Sequence, residues 1–112
     1  MARQDWIFNG YGIEEIADRI TDGILKGSIS ASLEDSTYFS YGDVSCIVLV
    51  FERYSIIGSN RLSLTVTLFS EPGRVRVSGI SSGGSEGVFW KVNTLGENAF
   101  IDALVGVLSS IS

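Results

Sequence analysis

From Arg61 to Phe69 the chain reads Arg-Leu-Ser-Leu-Thr-Val-Thr-Leu-Phe, with apolar residues at 62, 64, 66 and 68 and polar residues between them. A period of two sustained over that length specifies a β-strand with one dry face and one wet face. Residues 44–54 and 74–81 are also strand-like and are separated from it by turn residues, so the middle of the chain reads as an antiparallel meander. Two of these strands differ in kind. Residues 44–54 are apolar on both parities, with Cys46, Val48 and Val50 against Ile47, Leu49 and Phe51. That pattern predicts a central strand covered on both sides, or on one side by a partner subunit.

Around the meander the period changes. Ile13, Ile16, Ala17, Ile20 and Ile24 recur at helical spacing with acids on the opposite face, predicting a helix over residues 13–26 capped near Gly27. Residues 5–11, rich in aromatics and closed by Gly10 and Gly12, predict a first strand, and residues 29–34 a second, followed by an aromatic-rich linker. Glu71-Pro-Gly-Arg is a turn, as is the segment at Gly58, and Gly83-Gly84 lies in a Gly/Ser connection. Residues 88–92 predict a sixth short strand. Thr94 and Glu97 then stand at capping-box spacing before the apolar stripe Phe100, Leu104, Val107, Leu108 and Ile111 of a last helix. The predicted class is α+β in one domain: an antiparallel sheet of about six strands with two helices on one face, in the order β-α-β-β-β-β-β-α.

The 112 residues suffice for one core. A net charge of −5 argues against a nucleic-acid footprint, which needs a basic face that releases phosphate counterions. Eight of the thirteen acids fall in residues 1–43, and those on the first helix read as its solvated face. With no histidine and a single cysteine, the chain offers no intrachain disulfide, no zinc-ligand spacing and no cofactor motif. Cys46, inside an apolar run, reads as a small core hydrophobe. No apolar run reaches the roughly 18 residues of a membrane span and no signal-peptide core is evident, so a soluble, cytoplasmic protein without membrane contact is expected.

Candidate sites are sparse. Glu14 and Glu15 diverge on a helix and do not converge as an acid/base pair. Gly83-Gly84 lacks the context of a phosphate loop. Proton transfer without histidine would fall to groups such as Glu52, Tyr54 and Lys91, and no catalytic constellation is legible among them. Arg53, Arg61, Arg74, Arg76 and Lys91 lie on or beside strands and could gather on one wet face, or stand as scattered charges that discourage edge pairing. Tyr38, Phe39, Tyr41 and Tyr54, with Ile56 and Ile57, are large side chains with no evident place under two helices. They either close one end of the core or form an exposed patch. The ligand or interface candidates are thus Tyr38, Phe39, Tyr41, Phe51, Arg53, Tyr54, Ile56, Arg76 and Trp90, with no catalytic or metal residue.

At Gly27-Ser-Ile-Ser-Ala-Ser-Leu-Glu-Asp, Phe51-Glu-Arg-Tyr-Ser, Gly58-Ser-Asn-Arg-Leu-Ser-Leu and Asn93-Thr-Leu-Gly-Glu, the chain resembles a family of small bacterial proteins of unknown function, mostly from Firmicutes, over about residues 10–110. The resemblance implies a complete single-domain bacterial protein and brings no catalytic residues. In shape alone the element order resembles a trimmed helix-grip architecture, with one helix between the first two strands where those proteins usually have two. The function expected is a non-enzymatic binding or interaction module acting as a homo-oligomer, most simply a dimer. The alternative is a carrier of a small apolar or amphipathic ligand between sheet and last helix, near Phe51, Phe89, Trp90, Phe100 and Leu104.

Overall fold

A computed structural model describes residues 1–55, 60–83 and 90–111. The element order is β1 (Ala2–Asn9), α1 (Ile13–Gly27), β2 (Ser32–Tyr41), β3 (Val44–Ser55), β4 (Asn60–Glu71), β5 (Arg74–Gly83) and α2 (Trp90–Ile111). The class is α+β as expected, and among the described residues the antiparallel sheet has five strands in the order β1-β5-β4-β3-β2.

Four expectations need correction. The first strand lies earlier, at Ala2–Asn9, because it pairs antiparallel along β5 from Ala2↔Ser81 to Asn9↔Arg74. The second strand begins at Ser32 and continues through the supposed linker to Tyr41, so Tyr38, Phe39 and Tyr41 lie on an edge strand. Residues 90–92 are helical rather than a sixth strand, while residues 88 and 89 fall outside the described set. Since α2 already runs at Trp90, Thr94 and Glu97 sit inside the helix and do not cap its start. The turn at Gly58 and the connection at Gly84 also fall outside the described residues.

Register explains the core. The residues of β4 at 62, 64, 66 and 68 are all buried, and they align with Ile47, Leu49 and Phe51 on β3 and with Val77, Gly79 and Ser81 on β5. Phe8 on β1 completes that face beside Val75. Both helices cover it: α2 lies over β1, β5 and β4, and α1 over β2, β3 and β4, with the two helices touching. Ile16, Ile20 and Ile24 of α1 and Phe100, Leu104 and Leu108 of α2 fill the space between. The Tyr11 hydroxyl donates to the Ile111 carbonyl at 3.0 Å, tying the end of α2 to the chain just after β1. The β4–β5 hairpin turns at Pro72-Gly73, where Gly73 has φ +84°, the value a type II turn requires after proline.

The helix α2 rests very closely on β5. A Cβ added at Gly79 would stand 2.2 Å from Leu104 Cδ2, and one at Gly23 of α1 would stand 2.5 Å from Val107 Cγ2. Leu104 is fully buried, so its Cδ2 would have to shift within the packed core. Gly79→Ala is therefore expected to destabilise the fold by about 1–3 kcal/mol through overpacking, read as a lowered thermal midpoint. An unchanged midpoint would mean that α2 can lift from the sheet at no cost.

Candidate functional site

Because side chains alternate along a strand, the opposite face of the same sheet carries the other parity, and among the described residues no helix covers it. On the β2–β4 half it bears Thr37, Phe39 and Tyr41, then Val44, Cys46, Val48 and Val50, then Thr65, Thr67 and Phe69. On the β1–β5 half it bears Arg3, Asp5 and Ile7, then Arg74, Arg76, Ser78 and Ile80. Across its middle the face is therefore divided, apolar toward β2 and bearing Arg3, Asp5, Arg74 and Arg76 among Ile7 and Ile80 toward β1, while Asp35, Glu52, Arg61 and Glu71 put charge at the two ends of the β2–β4 half.

The apolar half is open to solvent. Phe39 keeps 58% of its surface exposed, Tyr41 88% and Phe69 40%, and Val44, Cys46, Val48 and Val50 are half-buried. Phe39, Tyr41, Val44, Cys46 and Phe69 line a depression of about 170 Å³. Cys46 departs from its expected place: it lies half-buried on this open face, beside Phe39 and Phe69 in register, and not in the core. Its parity decides this, since its neighbours Ile47 and Leu49 take the helix-covered side.

The charged groups do not form one cluster. Arg61 pairs with Glu52 at 2.8 Å and reaches Glu34 at 4.0 Å at one end of the sheet. Arg74 and Arg76 share Glu71 at 3.1 and 2.6 Å at the other, ten residues along β4 and so roughly 33 Å away. Arg53 is on the opposite face, its guanidinium 4.6 Å from the Phe100 ring centroid. There burial pushes the guanidinium down from its ordinary value, which leaves an arginine charged all the same. The side chain of Lys91 lies outside the described residues. On the charged half, Ser78 donates to Asp5 at 2.7 Å and Arg3 stands 3.6 Å from the same carboxylate.

The hydrogen bond from Arg76 holds the Glu71 carboxyl below the usual glutamate range, with Arg74 acting in the same direction against a smaller opposing effect of desolvation. A carboxylate whose folded value is depressed stabilises the fold fully above its unfolded value, near pH 4–5, and loses that contribution as pH falls through the lower folded value. Glu71→Gln is thus expected to flatten the acid side of the melting-temperature profile below about pH 4 while changing little near neutrality. An acid limb identical to that of the parent protein would show that the pairing seen here does not persist in solution.

The other candidates disperse. Tyr38 points to the helix side of β2, 53% exposed beyond the margin of α1, with its hydroxyl 3.5 Å from Ser45 Oγ. It borders a groove of about 390 Å³ with Glu14, Ala17, Asp18, Ile47 and Leu49. Tyr54 lies on the open face at the far end from Tyr41, half exposed. Phe51 is wholly buried in the core. Ile56 and Ile57 fall outside the described residues, as do Phe89 and the side chain of Trp90. The structure thus brings Phe39 and Tyr41 together and adds Cys46, Val48, Val50 and Phe69. The two-sided apolarity of residues 44–54 is the sequence signal for Cys46, Val48 and Val50, whereas Phe69 follows only from the register of β4 on β3 and from which parity the helices cover.

Among the described residues no group of three or more histidine, cysteine, aspartate or glutamate side chains is placed to hold a metal ion, and no helix is long and apolar enough to cross a membrane. No curated protein matches the chain. A family model matches it from end to end, residues 1–112, and the chain belongs to that family of unknown function, DUF6054.

Proposed function

We propose that this protein is a non-enzymatic interaction module that works as a homo-oligomer, most simply a dimer, through the open face of its sheet. One observation carries the reading: the apolar half of that face, where Phe39, Tyr41 and Phe69 stand exposed around Cys46, Val48 and Val50. Burying such a patch is favourable at roughly 25 cal/mol per Å² of apolar surface, and a contiguous exposed patch on a sheet marks a binding surface. The ligand-carrier alternative asks for space between the sheet and α2. Phe51, Phe100 and Leu104 are fully buried and α2 is in close contact at Gly79, so the support lies with the open face.

Native mass spectrometry of protein purified without denaturation tests this. A dimer of bare chains is expected. A strictly monomeric protein at high micromolar concentration would remove the proposal, and a monomer with a constant added mass would transfer support to the carrier.

A further inference from the structure

Resting on the self-association reading, we infer that the second copy docks face to face, open sheet on open sheet, about a two-fold axis that lies in the interface and crosses the strands. The size of the face fits this occupant. Five strands about 4.8 Å apart and some 30 Å long present roughly 700 Å² in projection, close to the roughly 800 Å² per partner of a standard interface. Its mixed composition, apolar on the β2–β4 half and polar on the other, is also that of an ordinary non-obligate interface.

The division of the face selects the axis. A central two-fold axis parallel to the strands would lay the β1–β5 half of one copy on the β2–β3 half of the other. Arg74 and Arg76 would then press on Val44 and Cys46, and Asp5 on Thr37, and desolvating charges without new partners is costly. An axis crossing the strands sets each strand over its own counterpart, running oppositely, so the apolar half meets the apolar half. With the axis between the rows of Cys46 and Val48, Cys46 lies over Val48 of the second copy, Val44 over Val50, Phe39 over Thr37 and Phe69 over Thr67. On the charged half the same operation lays Arg76 over Ser78 of the second copy and diagonal to its Asp5, while Arg74 comes over Ile80. Aligned sandwiches of this kind hold their sheets about 10 Å apart with strands crossing near 30°.

Edge-to-edge pairing through β2 is the competing arrangement, and β2 resists it. Its register breaks at a bulge between Leu33 and Asp35, and Glu34 and Asp35 put charge on that part of the edge. Pairing there would also leave the apolar half of the face uncovered.

Cys46, the single cysteine, reports which arrangement holds. In the stacked dimer the two thiols point into one gap with sulfurs about 8 Å apart, whereas edge pairing separates them by three strand spacings, at least about 14 Å. The experiment is thiol labelling with a bulky maleimide, and cross-linking with a short bis-maleimide that spans about 8 Å, from low to high micromolar protein. Labelling is expected to slow about tenfold as dimer forms, and the short reagent to yield a covalent dimer that Cys46→Ser abolishes. Phe39→Asp, at an exposed edge position where the monomer tolerates it, is expected to restore fast labelling and remove the cross-link. A dimer whose Cys46 labels at one rate at all concentrations and does not cross-link would overturn face-to-face docking while self-association stood. A monomer at every concentration would overturn both.

Discussion

Phe51→Ala is expected to cost the fold about 3–5 kcal/mol, the range for truncating a large aromatic in a packed core. Phe51 sits on the helix-covered side of β3, between Leu33 on β2 and Leu64 on β4, with none of its surface exposed. Its removal withdraws the transfer energy of the ring and leaves a void that Leu64 and the helices above can only partly fill. Domains of this size are stable by about 5–15 kcal/mol in all, so the variant should be partly unfolded at physiological temperature. Urea denaturation checks this: the midpoint should fall sharply with the slope unchanged. A loss below about 1.5 kcal/mol would mean that the core closes over the gap and that Phe51 is not a keystone of the sheet–helix contact.

Val48→Lys, three residues away on the same strand, should produce the opposite division of effects. Val48 faces the uncovered side, so its replacement leaves the core intact and is expected to change the stability of the single chain by no more than about 1 kcal/mol. In the proposed assembly it lies at the centre of the apolar half, over Cys46 of the second copy. A lysine there is buried without a partner, and the dissociation constant should rise at least about 100-fold. Sedimentation or light scattering across a concentration series measures it, with a thermal melt alongside to confirm that the variant is folded. An unchanged association constant would place the interface elsewhere. Together the two substitutions separate a residue that holds the chain up from one that holds two chains together, within a single turn of the β3 pleat.

The parts of the fold that the sequence made legible are those with a dry side. Residues 62–68 alternate cleanly because α1 and α2 cover one face of β4, and the isoleucines of α1 recur at helical spacing because they pack on that face. β2 was not legible, for a physical reason: as an edge strand beyond most of α1 it is exposed on both faces, so Ser-Thr-Tyr-Phe-Ser-Tyr has no buried parity to display. The sequence misplaces the start of α2 because Trp90 and Val92 carry strand propensity while Thr94 and Glu97 mimic a cap, and the apolar stripe legible in the sequence runs from Phe100. Of the candidate site, β3 announced its second apolar face. The placement of Cys46, Val48 and Phe69 together required register, which depends on pairings between residues far apart in the chain.

The position of β1 bears on how this protein reaches its native state. The strands β2 to β5 follow one another as neighbours and can zip up hairpin by hairpin, but β1, the first of the described strands, finds its place beside β5, the last of them. On a ribosome the opening strand leaves the exit tunnel long before its mate has been made, and it must wait, with its backbone groups solvated, while the meander assembles. The closing of the N-terminal edge is therefore the expected last step of the sheet, with α1 as the tether that keeps the waiting strand within reach. Pulsed hydrogen exchange should find the amides of β1 protected after those of β3 and β4.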